Sequence, residues 1–392
     1  MTFLVGVVAG VVLIPALVFG LEVLFAPRAP PAKSGDAPES APSVAIVVPA
    51  HNEAGQIGPT VAHLRAESPP DVRVIVVADN CTDDTANRAR SEGASVWIRN
   101  DPERRGKGFA LRHAFKGLEG AAPDVVVVVD ADCRLEPGAL QRLARRAHAT
   151  GAPQQAEYLM TPGESTKSMV SAFAFMVRNR ARPRGLARFG WPTHLTGTGM
   201  AFPWSSLRDA HVEGGHIVED LMLGLELARR GHPVQLCSDA TVWSELPDAS
   251  SAALQQRSRW EHGQLHTLLT QAPRLVWEGA ASGRPDLVAL GLDLAVPPLA
   301  FLVMLQVGVF LIAGLLALSG GGVAPLVLSS AGLAVVGGGA LLAWWKFGRA
   351  LLPWYRLIAV PGYVLWKIPV YAAAVLGRRT REWKRTQRAS ED

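Results

Sequence analysis

Val125-Val126-Val127-Val128-Val129-Asp130-Ala131-Asp132 is the segment in which the chain shows its architecture most openly. Five consecutive β-branched residues favour an extended backbone. Their lack of polar alternation marks a strand covered on both faces. The short runs Val44–Val48 and Val72–Val77 and the weaker Val96–Ile98 read the same way. Helical stretches separate and follow these runs, at Gln56–Ala66, Asp83–Glu92, Lys107–Leu118 and Pro137–His148. This alternation predicts an α/β domain with a mostly parallel sheet. In such sheets ligands bind beyond the carboxyl ends of the strands.

The polar clusters follow the strands. Asp130 and Asp132 leave the central strand together, and two adjacent carboxylates repel unless something positive joins them. A hard divalent cation with oxygen ligands, Mg²⁺ or Mn²⁺, meets that need and can hold a diphosphate. A solvated acidic turn is the plainer reading. After the first strand come His51, Asn52 and Glu53, which suit a ligand site or a helix N-terminus. Asp79 ends the second strand, where its carboxylate can accept hydrogen bonds from a base or ribose. Arg104-Arg105-Gly106-Lys107-Gly108 opens a helix, and its glycines and Lys107 favour an anion. An exposed basic turn explains it equally well.

Beyond residue 150 the pattern is more mixed. Helical runs are expected over Ser165–Arg182, Ile217–Arg230 and from Ser250 to about Leu269, with a Gly/Thr loop at Thr196–Gly199. Glu219 and Asp220 stand at the front of one of these helices. They suit the helix dipole, and either can serve as a general base if partly desolvated. Gln256-Arg257-Ser258-Arg259-Trp260 carries guanidinium groups for phosphate and an indole for a sugar face. A membrane-surface helix is its competing reading.

Apolar residues concentrate at the two ends. Thr2–Leu21 carries no charge and reaches the ~20 residues that cross a bilayer. The first basic residues, Arg28 and Lys33, follow it, so the positive-inside rule places the next domain in the cytoplasm. A cleaved signal peptide is the alternative. Leu294–Leu318 and about Val323–Trp345 predict two further spans. Leu351–Leu376 is interrupted by charge and proline and ends in a basic tail. It is expected to lie at the interface or re-enter, with a further full span as the rival. Ala26–Pro42 reads as a linker. The expected organisation is a transmembrane helix at 1–25, a linker at 26–42, a catalytic domain at 43–285, a membrane region at 286–376 and a tail at 377–392. Three cysteines with no metal-ligand spacing fit a reducing compartment. The net charge of +5 is largely the tail's and points to anionic lipid, with no nucleic-acid motif present.

Taken in order, Asp79, Asp130-Ala131-Asp132, Glu219-Asp220 and Gln256-Arg257-Ser258-Arg259-Trp260 resemble the signature of membrane-bound family 2 glycosyltransferases. The branch that resembles it includes cellulose, hyaluronan and poly-N-acetylglucosamine synthases and is related to ceramide glucosyltransferases. The resemblance runs from about Val44 to Leu269. It implies a Rossmann-like GT-A fold flanked by transmembrane helices, and inverting transfer from a UDP-sugar with Mg²⁺ or Mn²⁺. It implies that Asp79, His51 and Glu53 contact the nucleoside, that Lys107 and Asp130 hold the nucleotide, and that Asp132 ligates the metal. Asp220 becomes the base. Glu219, Gln256, Arg257, Arg259 and Trp260 become contacts of the diphosphate or acceptor. The acceptor is then a glycan in envelope polysaccharide synthesis, alone or with assembly proteins, or a membrane lipid. An inactive scaffold subunit is the reading of another class. The expected location is the inner (plasma) membrane, multi-pass. Val218 stands where the family often has Thr. The loop Thr196-Gly197-Thr198-Gly199 replaces an aromatic-Cys-Gly stretch. About three membrane passes fit single addition better than a long secretion channel.

Overall fold

The computed structural model describes residues 1–29, 41–208, 219–245 and 251–375, leaving aside the side chains of 251–262, 370 and 373–375. The chain begins with α1 (Thr2–Phe25), β1 (Val44–Ala50), α2 (Ile57–Glu67), β2 (Arg73–Asp79), α3 (Thr85–Ser91), β3 (Ser95–Arg99) and α4 (Lys107–Leu118). It continues through β4 (Val125–Val128), β5 (Cys133–Leu135), α5 (Ala139–Thr150), β6 (Gln154–Thr161), α6 (Thr166–Met176) and α7 (Arg182–Ala187). Then follow β7 (Met200–Pro203), α8 (Trp204–Leu207), α9 (Glu219–Arg229) and β8 (Gln235–Glu245). The last part holds α10 (Ser251–Ser282), α11 (Pro285–Leu294), α12 (Leu299–Leu318), α13 (Ala324–Ala343), α14 (Val360–Trp366) and α15 (Ile368–Val375). These elements form two compact units. Ala29–Thr161 with Pro192–Leu246 carries the sheet; Met1–Arg28, Pro162–Trp191 and Pro247–Thr386 form a helical unit.

The sheet order is β3-β2-β1-β4-β7-β6-β8-β5. The first four strands are parallel, with Val47 opposite Val128 and Val48 opposite Val76. Every residue of Val125–Val129 is fully buried, and covering a valine side chain contributes at least ~1.5 kcal/mol each. On one face α4 packs Ala110, Leu111, Ala114, Phe115 and Leu118 into a core with Val47, Ile75, Val126 and Phe202. Because β1 has β2 on one side and β4 on the other, the chain reverses its winding direction at β1/β4. Such a switch point opens a crevice at the strands' carboxyl ends. The remaining strands escape the apolar-run pattern. β7 pairs antiparallel with β4, β6 joins β7, and β8 bridges β6 and β5. β6 begins with the buried polar residues Gln154 and Gln155, and Glu157 is buried as well, so hydropathy does not announce it.

In the helical unit, α1, α12 and α13 extended to Gly348 are long and apolar enough to cross a membrane. Pro15 interrupts the backbone ladder of α1. Buried Gln306 of α12 donates its Nε2–H to the carbonyl of Val12, one turn earlier, at 2.9 Å. The Lys346 ammonium caps the C-terminus of α1, donating to the carbonyls of Val23, Leu24 and Ala26 at 2.8–3.0 Å, where the helix dipole favours a cation. Buried Arg182 joins two carboxylates, Glu22 at 2.6 Å and Asp293. Residues 351–375 divide into short helices, with Arg356 donating to the Glu164 carbonyl and Tyr363 hydrogen-bonded to Ser171. Among the described residues no fourth helix is both long and apolar enough to cross a membrane.

Candidate active site

The crevice at the β1/β4 switch point is built by four segments: the turns after β1, β2 and β4, and the loop that enters β7. The β4 turn is pinned atom by atom. Val129 donates its N–H to the Val47 carbonyl at 3.1 Å, and Cys133 donates to the Asp130 carbonyl at 3.1 Å. Asp130 N–H donates to Thr198 Oγ1 at 3.1 Å, and buried Thr60 donates its hydroxyl to the Ala131 carbonyl at 2.7 Å. These bonds fix the backbone that presents Asp130 and Asp132.

Lys107, the first residue of α4, crosses to this turn. Its ammonium pairs with Asp130 Oδ1 and donates to the Gly197 carbonyl at 2.7 Å. A methyl group at Gly197 would lie 3.4 Å from Asp220 Oδ2, 3.5 Å from Lys107 Nζ and 4.0 Å from Asp130 Oδ2. Its φ of +96° also suits glycine. Lys107, Asp130 and Asp220 therefore converge around one glycine. Glu219, one residue before Asp220, receives the N–H of Gly108 on its Oε2. The anion at the start of α4 is thus the protein's own Glu219 carboxylate. Gly106 (φ +131°) lets it approach, since a Cβ there would stand 2.9 Å from Glu219 Oε1.

The electrostatics follow from this crowding. Desolvation raises the Asp130 carboxyl above its ordinary range; Lys107 opposes the rise, and the charges of Asp132 and Asp220 add to it. Desolvation acts to lower Lys107, but Asp130 and Asp220 hold its ammonium above the usual value. Among the described residues, Asp130 thus has the Lys107 ammonium on one side and the charges of Asp132 and Asp220 nearby, a grouping that a divalent cation would suit. Asp130, Asp132 and Cys133 bring potential ligand atoms within 4.8 Å of one another. The carboxylates suit a hard cation. Cys133 does not: it is fully buried, and desolvation pushes its thiol well above the ordinary range.

The residues expected to meet a nucleoside, His51, Glu53 and Asp79, gather at the ends of β1 and β2. His51 Nδ1 lies 2.7 Å from the Asp79 carbonyl, and Glu53 donates its N–H to Thr85 Oγ1 at 2.8 Å. Asn52 and Asn80 adopt φ of +54° and +53°, an αL conformation tolerated by Asn. Asn52 Oδ1 accepts the Thr82 N–H at 2.7 Å, and Asn80 Oδ1 accepts the Asp101 N–H at 2.8 Å. The two turns are thereby cross-braced. Within the sheet unit, Lys107, Asp130, Asp132, Glu219 and Asp220 form one cluster, and His51, Glu53 and Asp79 stand at the braced turns after β1 and β2. Gln256, Arg257, Arg259 and Trp260 lie in α10 of the helical unit, and their side chains fall outside the described residues.

Three contributors escape sequence reasoning. Gln155 accepts the Thr196 N–H at 2.9 Å and donates to the Thr198 carbonyl at 2.9 Å, so it shapes the loop that meets Lys107 and Asp130. Thr198 is fully buried. Arg99 ion-pairs with Asp79 at 2.6 Å. Polar residues opening or closing a strand, such as Gln155 and Arg99, are the signal that was available.

Residues 41–263 match the family described as Glycosyltransferase like family 2. A low-salt glycan biosynthesis hexosyltransferase of Haloferax volcanii is 33% identical over 26% of this chain and 24% of its own. The succinoglycan biosynthesis protein ExoA of Rhizobium meliloti is 32% identical over 33% of this chain and 40% of its own. A 4,4'-diaponeurosporenoate glycosyltransferase of Staphylococcus aureus is 38% identical over 23% of this chain and 24% of its own. The matches thus span between about a quarter and two fifths of these relatives' lengths. Among solved structures, a mannosyltransferase from Pyrobaculum calidifontis in complex with GDP-Man and Mn²⁺ superposes with a TM-score of 0.52. It is 19% identical, covering 95% of this chain and all of that one, which shows a shared GT-A fold.

Proposed function

The chain belongs to glycosyltransferase-like family 2, and from that premise we propose that it is a membrane-bound inverting transferase moving a hexose from a UDP-sugar to a glycan acceptor. The convergence of Lys107, Asp130 and Asp220 around Gly197, with Asp132 beside them, carries this reading. Asp130 and Asp132 would hold Mg²⁺ or Mn²⁺, which when bound supplies charge stabilisation to the departing diphosphate. Asp220 takes the proton of the acceptor hydroxyl. That oxygen bonds to the anomeric carbon from the face opposite the diphosphate, and the sugar–phosphate bond breaks with its electron pair leaving on the phosphate. The Lys107 ammonium, held charged by its acidic neighbours, donates hydrogen bonds to the phosphate oxygens. His51, Glu53 and Asp79 take the nucleoside. Glu219 sets the start of α4 beside Asp220, and Gln256, Arg257, Arg259 and Trp260 receive the diphosphate and acceptor.

On this reading the catalytic domain (43–285) is cytoplasmic at the inner membrane, between a helix at 1–25 and a membrane region at 286–376. Assembly proteins of envelope polysaccharide synthesis are its partners. The three apolar helices and the aromatic short helices at 351–375 favour a second acceptor reading, a lipid drawn from the bilayer. Membranes carrying the protein, given Mn²⁺ and radiolabelled UDP-sugars in turn, separate the two. Label in water-soluble polymer supports the glycan acceptor; label in an organic extract supports the lipid. Absence of transfer from every UDP-sugar refutes both.

A further inference from the structure

Asp79 is the last residue of β2 and Arg99 the last of β3, and the parallel register sets them opposite one another. Arg99 Nη1 donates to Asp79 Oδ1 at 2.6 Å, and Asn80 Nδ2 donates to the same oxygen at 3.0 Å. The other arm of the guanidinium is anchored too, with Nη2 donating to Asp101 Oδ2 at 3.1 Å. Asn80 locks the pair from the backbone, donating its N–H to the Arg99 carbonyl at 2.7 Å. The guanidinium carbon lies 5.4 Å from the centre of the Phe109 ring, within cation–π range. The Arg99 and Asp79 side chains are only 10% and 7% exposed.

Both side-chain bonds to Asp79 fall on Oδ1. Oδ2 of Asp79 makes no hydrogen bond to any described residue. The carboxylate therefore offers a single open oxygen with N–H donors beside it. Nucleobase edges differ in what they ask of such a group. Uracil presents one imide N–H flanked by two carbonyl acceptors. Guanine presents two adjacent N–H donors, which a carboxylate satisfies only with both oxygens, as in bidentate pairing. Adenine and cytosine point a ring-nitrogen lone pair at the same place and would be repelled. A site whose buried polar groups match one edge and leave another unpaired discriminates strongly.

We propose that Arg99 is the specificity-determining residue for the base of the donor. By occupying Asp79 Oδ1, it leaves a one-oxygen seat that accepts uracil and denies guanine its paired contact. This rests on the reading above in which Asp79 contacts the nucleoside. Arg99 acts through Asp79, so a change in the ratio of two nucleotide affinities is its signature; a merely structural role would weaken both alike.

The test is calorimetric titration of the full chain in detergent with Mn²⁺ and UDP, GDP, CDP or ADP. Wild type should bind UDP about tenfold or more tighter than GDP, with CDP and ADP weaker still. Arg99→Met, which removes the charged donor and leaves Oδ1 only the Asn80 amide, should cut the UDP/GDP ratio about fivefold or more. Arg99→Lys keeps a donor for Oδ1 and should retain the preference. It also carries the test should the methionine variant fail to fold. Wild-type preference for GDP, an unchanged ratio in Arg99→Met, or a ratio lost in Arg99→Lys would overturn the inference while leaving sugar transfer intact. Failure of all four nucleotides to bind would remove the transferase reading and this inference with it.

Discussion

Replacing Asp132 by Asn tests the metal seat without relying on turnover. Among the described residues, Asp130 and Asp132 are the hard ligands of the cluster, and the Lys107 ammonium already neutralises part of the Asp130 charge. An ion that binds only the folded state adds about 2.7 kcal/mol at one hundred times its dissociation constant. For a unit of roughly 150–250 residues this raises the melting temperature by about 5–11 °C. If Asp132→Asn weakens the site one hundredfold, the same Mn²⁺ concentration adds only about 0.4 kcal/mol, a rise of about 1–2 °C. Differential scanning fluorimetry of the detergent-solubilised protein, with and without Mn²⁺, reads both quantities. An equal Mn²⁺-induced rise in the variant and in wild type would refute the assignment of Asp132 as a ligand.

Acid should weaken the Mn²⁺ response. With its carboxyl raised, Asp130 holds a proton more readily in the folded than in the unfolded chain. Without metal, its contribution is most favourable in acid and declines as pH rises from the ordinary carboxylate value through the raised one. Mn²⁺ must displace that proton, so a Mn²⁺-induced melting rise constant from about pH 7 to about pH 4.5 would contradict the arrangement. Gly197→Ala should cost about 1–3 kcal/mol from its positive φ and crowd Lys107 and Asp220; equilibrium denaturation with a matched Mn²⁺ titration measures both effects. Arg182→Met strands Glu22 and Asp293 without their shared cation. It should destabilise the helical unit by about 3–5 kcal/mol, detected as earlier unfolding in detergent; unchanged stability would mean the cluster is not held together by charge.

The parallel half of the sheet is readable because its strands are covered on both faces. Continuous valine runs then signal strands, and α4 spans Lys107–Leu118 as its composition indicates. The acids at the ends of β2 and β4 are readable for the same reason, since a polar residue that closes an apolar run stands out. The antiparallel half hides because its strands carry buried polar side chains. Gln155 is buried in β6 yet spends its amide on the 196–198 loop, and the pairing of β6 with β8 shifts register at Ala156/Glu157 of β6. The Asp79–Arg99 pair depends on strand register, which lies beyond local pattern. Glu219 looks like a helix-dipole acid, but its bond runs to the start of α4, 111 residues earlier. Long-range partners of this kind are set by topology alone.

The central claim is that Asp220 accepts the proton of the attacking hydroxyl beside a bound sugar nucleotide. Titration of Asp220→Asn with the donor that wild type uses, paired with a single-turnover transfer assay, addresses it directly. Nucleotide affinity should stay within about threefold of wild type, and transfer should fall by a factor of about 10² or more. Transfer at the wild-type rate with unchanged affinity would contradict it.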